Sequence, residues 1–253
     1  MRLACLLTLA LTGMSGLAGP AARAQAGADP FRFVLWPVND VRAIGSLHPK
    51  ALLGVAGLGA GLFLLSRYDR PVTQAAADVH ESWPIRVSEE FGNASAVRPA
   101  LAVVLLGSLM TGNERLQDAA FTSLESVILA NLATNSIKTL SGRARPWQEE
   151  GPGSIEPFSG NTSFPSGHAT TAFAALTPFA QYYGGVRGVL IYSLATAAAF
   201  SRLVTDVHWF TDVLGGSAIG FFTGWALSRR HQNVQFQATP HPEGGSAAIR
   251  VAF

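Results

Sequence analysis

Six apolar stretches, at about 51–66, 99–112, 119–140, 168–183, 188–202 and 209–228, decide what this chain can fold into. Each is longer than a typical strand and rich in Ala, Leu and Gly, so each is expected to form a helix. Only 13% of the residues are charged, about half the usual share in a soluble domain. Helices with so little charge are buried all round, in a large core or in a bilayer. The chain therefore reads as all-α, a six-helix bundle over 27–230. Residues 67–98 form a polar insert expected to fold as short surface helices, and 147–163 form a Gly/Pro/Ser-rich loop. The tail, 231–253, alternates weakly on both sides of a Pro/Gly turn and reads as a hairpin.

Small residues recur at four-residue spacing: Gly57 and Gly61 in one stretch, Gly216, Gly220 and Gly224 in another. Glycine costs about 1 kcal/mol inside a helix relative to Ala. Close approach of two helix backbones compensates that cost, in membrane bundles and in tight soluble ones. The stretches are short for spans, which need about 20 apolar residues. Ala51–Ser66 offers 16 before Arg67, and Gly188–Ser201 offers 14. A bundle lying on a membrane, or embedded with tilted and thinned edges, fits these lengths.

The first 26 residues have a positive start at Arg2, an apolar middle and small-x-small motifs at Ala22–Ala24 and Ala24–Ala26. They read as a secretory signal peptide, with an uncleaved first membrane helix as the alternative. Its loss would remove Arg2 and Arg23 and leave 16 bases against 16 acids. No basic footprint for nucleic acid then remains. The one cysteine, Cys5, lies in the same segment, so thiolate and disulfide chemistry are excluded from the remainder. These features point to export to the cell envelope, as a membrane-associated or periplasmic protein.

Three polar clusters interrupt the apolar pattern. In "KTLSGRARP", Ser141-Gly142 looks like a helix end with Gly in the left-handed cap. Lys138 then sits in the last turn and Arg145 in the following loop. In "FPSGHATTAF", Ser166 can cap a helix whose first amides, with Gly167 and His168, face outward as an anion site. In "SRLVTDVHWFTD", Asp212 lies four residues after His208 and can hold one ring nitrogen, leaving the other free to attack. Arg202 is out of helical phase with His208, which places a break near Thr205-Asp206 and His208 in the first turn of the last helix. Each cluster alone has a bland reading as a capped or charge-compensated helix end. Together they supply three cations, helix amides and two imidazoles, a fitting complement to a phosphate ester. No Asp/Glu/His group has metal-ligand spacing, and no cofactor is expected.

Lys138-x6-Arg145-Pro146, Pro165-Ser166-Gly167-His168 and Ser201-Arg202-x5-His208-x3-Asp212, in this order, resemble the signatures of the type 2 phosphatidic acid phosphatase (PAP2) superfamily. That superfamily also holds bacterial class A acid phosphatases and vanadium haloperoxidases. The resemblance implies a PAP2-type helical bundle and metal-free, two-step hydrolysis of a phosphomonoester or a prenyl pyrophosphate. It assigns nucleophilic attack to His208, orientation of that ring to Asp212 and leaving-group protonation to His168. Lys138, Arg145, Ser166, Gly167 and Arg202 would hold the phosphoryl oxygens. A phosphorylated lipid at a membrane is the expected substrate, with the active site outside the cytoplasm. A haloperoxidase or a non-specific periplasmic acid phosphatase would use the same pocket.

Overall fold

The computed structural model describes residues 32–44, 49–79, 82–239 and 246–251; the leader-like segment 1–26 lies outside them. Nine α-helices occur among the described residues: α1 (Arg32–Ile44), α2 (Pro49–Leu65), α3 (Asp69–Ala77), α4 (Trp83–Glu89), α5 (Ala94–Thr111), α6 (Glu114–Ser141), α7 (Gly167–Tyr183), α8 (Gly185–Val204) and α9 (Phe210–Asn233). All six expected helices are present, as α2 and α5–α9. The polar insert contributes α3 and α4, and α1 comes from a segment whose sequence showed only punctuation. In the tail, β1 (Val234–Thr239) and β2 (Ser246–Val251) pair antiparallel, with Val234 opposite Val251.

Local chemistry sets the helix ends. Asn93 and Asn113 cap α5 and α6, accepting the N–H groups of Ser95 at 3.2 Å and Leu116 at 3.1 Å. Gly112 closes α5 in the left-handed conformation, at φ 67°.

The centre of the bundle is α7, flanked by α6, α8 and α9. Its inward surface is mostly Ala and Thr, so neighbouring backbones come close. Ser123 donates to the Ala175 carbonyl at 2.8 Å, Asn131 to Thr171 at 3.1 Å, and Thr134 and Thr170 share a bond of 3.0 Å. These bonds satisfy polar groups that packing has cut off from water. The glycine run of α9 meets α7: a Cβ at Gly216 would lie 2.3 Å from the Ser166 carbonyl oxygen, and one at Gly220 2.3 Å from that of Thr170. The other glycine pair behaves differently. Gly57 and Gly61 face open space on α2, so close packing does not account for them.

Arg67 does not end the helical run that begins in α2. The helical path continues through a 3₁₀ turn at Ser66–Tyr68 into α3, so the expected limit of 16 residues is exceeded. Leu52–Ala77 and Ala94–Thr111 are each long and apolar enough to cross a membrane. The first has an unpartnered apolar surface that includes Leu53, Val55, Phe63 and Leu64.

Gly220→Ala should lower stability by about 1–3 kcal/mol, because the added methyl meets backbone that cannot swing aside. Gly57→Ala should be neutral or stabilising by up to about 1 kcal/mol. Thermal unfolding of the two variants side by side would refute the packing role of the α9 glycines if the shifts were alike.

Candidate active site

The site is assembled where α6 ends and α7 and α9 begin. α6 stops because Gly142 adopts φ 52° and returns its N–H to the Lys138 carbonyl at 2.9 Å. A Cβ there would lie 1.6 Å from the Glu156 carbonyl oxygen, so only glycine fits. Lys138 is thereby in the last turn, half-buried, with Nζ donating to the Thr162 carbonyl. Arg145 follows in the loop. Its Nη2 lies 3.4 Å from Thr162 Oγ1 and its Nη1 3.5 Å from the Val207 carbonyl, so it bridges the 142–163 loop and the α8–α9 connection.

Ser166 is the N-cap of α7, and its Oγ accepts the Ala169 N–H at 3.5 Å. Its own N–H donates to the Asp212 main-chain carbonyl at 2.9 Å. That bond ties the start of α7 to the start of α9. A Cβ at Gly167 would meet only Lys138 Cε, at 3.8 Å. Protein packing therefore does not demand glycine here. His168 lies against Gly92, where a Cβ would come within 2.9 Å of the His168 Cβ.

α8 ends at Val204 and the chain turns through Asp206 at φ 51°, so the expected break is present. His208, however, is not in the first turn of α9: it stands two residues ahead of it. The reason is local. Asp212, in the first turn, reaches back to accept the Trp209 N–H at 2.9 Å, so the helix begins after Trp209. His208 Nδ1 still lies 3.5 Å from Asp212 Oδ2, at the edge of hydrogen-bond reach, and accepts or donates no other bond. Asp212 Oδ2 is already shared by Ser163 Oγ and the Trp209 N–H. Trp209 itself is a strut, its indole donating to the Ala144 carbonyl at 2.8 Å.

Several partners carried no sequence signal. Arg143 is buried and reaches three elements. Nη1 donates to Asp212 Oδ1 at 2.7 Å and to Thr211 Oγ1 at 2.8 Å, while Nη2 pairs with Asp69 Oδ2 at 2.5 Å. Asp69 also accepts the Thr211 N–H at 2.7 Å and its hydroxyl at 2.9 Å. The polar insert was expected at the surface, yet it supplies a wholly buried Asp69 to the site's foundation. It also supplies Glu89, which pairs with Arg202. Arg202 Nε remains buried without a partner. Arg143 was visible two residues before Arg145, but nothing in the spacing told which would face a ligand and which a carboxylate.

The ionisable groups perturb one another. Burial, then Arg202, His208, Arg145 and Lys138, push the His168 imidazole down to about 4. Burial also pushes His208 down to about 4, with Lys138 and Arg145 adding to the effect and Asp212 opposing it. Burial and Arg145 lower Lys138 to about 8. Burial and the Arg202 charge lower Arg145. Burial would raise Asp212, but His208, Arg143 and Ser163 outweigh it and hold the carboxylate below its usual range. The result is a cationic centre with two neutral imidazoles and a fixed carboxylate behind one of them, able to bind and act on an oxyanion.

Residues 119–236 match the family model of the PAP2 superfamily, and all three polar clusters lie within them. A lipid A 1-phosphatase of Rhizobium etli is 36% identical over 105 residues, 40% of this chain and 44% of that protein. A lipid A 1-phosphatase of Porphyromonas gingivalis is 43% identical over 65 residues, 24% of this chain and 15% of that one. The chain thus matches less than half the length of these curated relatives. Among solved structures, the first transmembrane PAP2 type phosphatidylglycerolphosphate phosphatase from Bacillus subtilis shares the fold. It has a TM-score of 0.51 at 20% identity and covers 79% of this chain and 95% of its own.

Removing the Arg143 side chain would strand two buried carboxylates. Arg143→Ala should cost about 3–5 kcal/mol of stability, as expected for breaking a buried ion pair. Arg143→Lys should recover only part of it, since one ammonium cannot reproduce the forked contacts. Urea titration of both variants would rule out the foundation role if Arg143→Ala lost less than about 1 kcal/mol.

Proposed function

We propose, taking as premise that residues 119–236 match the PAP2 superfamily, that this chain is a phosphatase hydrolysing a phosphate ester through a phosphohistidine. The observation that carries the proposal is the bond from the Ser166 N–H to the Asp212 carbonyl, 2.9 Å, which sets the start of α7, with Lys138 beside Gly167, next to the Asp212 carboxylate that stands behind His208. Phosphoryl transfer is mainly positioning and charge stabilisation. Two guanidinium groups can each grip phosphoryl oxygens through two N–H bonds. Lys138 and the free amides at Gly167 and His168 would complete the cradle.

In the first step His208 Nε2 attacks phosphorus, the bond from phosphorus to the leaving oxygen breaks, and His168 protonates that oxygen. Asp212 keeps the His208 ring oriented and stabilises the positive charge the ring acquires. In the second step His168 takes a proton from water, the oxygen attacks phosphorus, and the bond from phosphorus to Nε2 breaks. His208 is suited to attack because burial keeps it unprotonated at neutral pH. His168 starts neutral as well. A bound phosphoryl group places about two negative charges beside the ring. Those charges oppose the cations that depress His168, so its proton is taken up together with substrate.

A phosphorylated lipid is the substrate class the surroundings favour. Two apolar helices long enough to cross a membrane accompany the site, and relatives that match the signature-bearing segment are lipid A 1-phosphatases. Envelope export with an outward-facing site accords with the leader-like N-terminus.

Purified protein quenched with acid-labile care during turnover of a ³²P-labelled lipid phosphate should carry label on histidine, and His208→Ala should carry none. Turnover by His208→Ala at the wild-type rate would end the covalent mechanism. A lipid phosphate in mixed micelles should be used with a higher kcat/KM than a small soluble phosphate ester; the reverse order would end the lipid assignment alone.

The charge argument has its own measurement. By NMR, the His168 ring should titrate at about 4 in the ligand-free protein and move upward when inorganic phosphate or vanadate is added. The sign is set by the anion opposing the neighbouring cations. An unchanged or lower value would show that the anion binds elsewhere.

A further inference from the structure

We propose that Asp40, Glu125 and His231 form a binding site for a divalent transition-metal ion of the Zn²⁺ class, separate from the phosphoryl site. The three residues come from α1, α6 and α9, and their ligand atoms all lie within 4.8 Å of one another. Asp40 Oδ2 is 2.8 Å from His231 Nε2, and Glu125 Oε2 is 3.7 Å from the same nitrogen. Ligands around tetrahedral zinc stand about 3.4 Å apart, given bonds of about 2.0–2.2 Å. The observed spacing brackets that value, so small side-chain rotations suffice.

A second observation points to a missing partner. Glu125 Oε2 is buried and takes part in no hydrogen bond, on a side chain only 10% exposed that points at His231. A buried carboxylate oxygen without a donor is costly.

The surroundings suit ligation. His231 Nδ1 is 2.8 Å from Thr122 Oγ1. A hydroxyl can donate or accept, so Thr122 can accept a hydrogen bond from Nδ1–H once a metal replaces the present Nε2–Asp40 Oδ2 hydrogen bond and takes the Nε2 lone pair. The Trp36 ring stacks on the imidazole at 4.0 Å and 9°, which fixes its plane. Arg230 Nε holds Asp40 Oδ1 at 2.5 Å, leaving Oδ2 toward the centre. Such outer partners orient metal ligands and tune their basicity. One nitrogen and two carboxylates favour zinc-like ions over calcium or magnesium. Bound there, the ion would clamp α1 to the bundle through three helices.

Chelator-stripped full-length protein in detergent should bind one equivalent of Co²⁺ with visible absorption of a low-coordinate site, displaced by Zn²⁺. Glu125→Gln and Asp40→Asn should each raise the Co²⁺ Kd at least about tenfold, the loss typical of a disturbed metal shell. His208→Ala should bind Co²⁺ as wild type does, which separates this site from the phosphoryl site whatever the latter's activity. No saturable Co²⁺ or Zn²⁺ binding by the wild-type chain would overturn the proposal. So would binding that survives Glu125→Gln undiminished or that vanishes in His208→Ala. Wild-type binding read by the His231 ring resonances on Zn²⁺ addition decides the matter even where a variant fails to fold: shifted resonances support it, unmoved ones refute it.

Discussion

One buried guanidinium holds the site together. Arg143 lies between Asp69 and Asp212, and each of those carboxylates organises something else. Asp69 accepts the Thr211 amide in the first turn of α9, while Asp212 caps the same helix from within and stands behind His208. Two buried carboxylates side by side would repel; with Arg143 between them they become a rigid brace linking α3, the loop after α6 and α9. Buried charges of this kind need every partner in place. Pro152 contributes its carbonyl to the remaining guanidinium protons, so that need is met.

From that brace the geometry passes outward through backbone. Ser166 donates to the Asp212 carbonyl, so the start of α7 is indexed to the start of α9. The glycine run then lets the two helices lie against each other for three further turns, with no side chain to wedge them apart. The start of α7 is therefore held beside the start of α9, which His208 precedes. Placing a helix N-terminus on a packed and braced partner gives it a fixed aim, which a loop would not provide.

Much of this was legible in the residues. The six apolar stretches became helices because length and composition leave no other regular structure for them. The ends at Gly142 and Ser166 were readable because a left-handed cap and an N-cap are local chemistry. What was not legible depends on contacts between distant segments. Asp69 looks like one acid among several in a polar insert; only the fold carries it to Arg143, 74 residues away. Glu89 reaches Arg202 across 113 residues. Asp40, Glu125 and His231 are likewise remote in sequence, so no spacing rule could group them. The misplacement of His208 has a subtler source. Asp212 can satisfy an amide either side of the helix start, and the sequence does not say that it chooses Trp209.

Several cations gather where α6 stops and α7 and α9 begin. Cations placed close together in a partly buried setting repel, and here they depress one another and both imidazoles. Glu89 pairs with Arg202 and the Asp212 carboxylate opposes the depression of Lys138 and Arg145, while Arg202 Nε has no hydrogen-bond partner among the described residues. On the proposed reading a multiply charged oxyanion would relieve the remainder, since it would meet these cations together. On the proposed reading that repulsion would favour a multiply charged group, since a singly charged or neutral one would leave most of it in place.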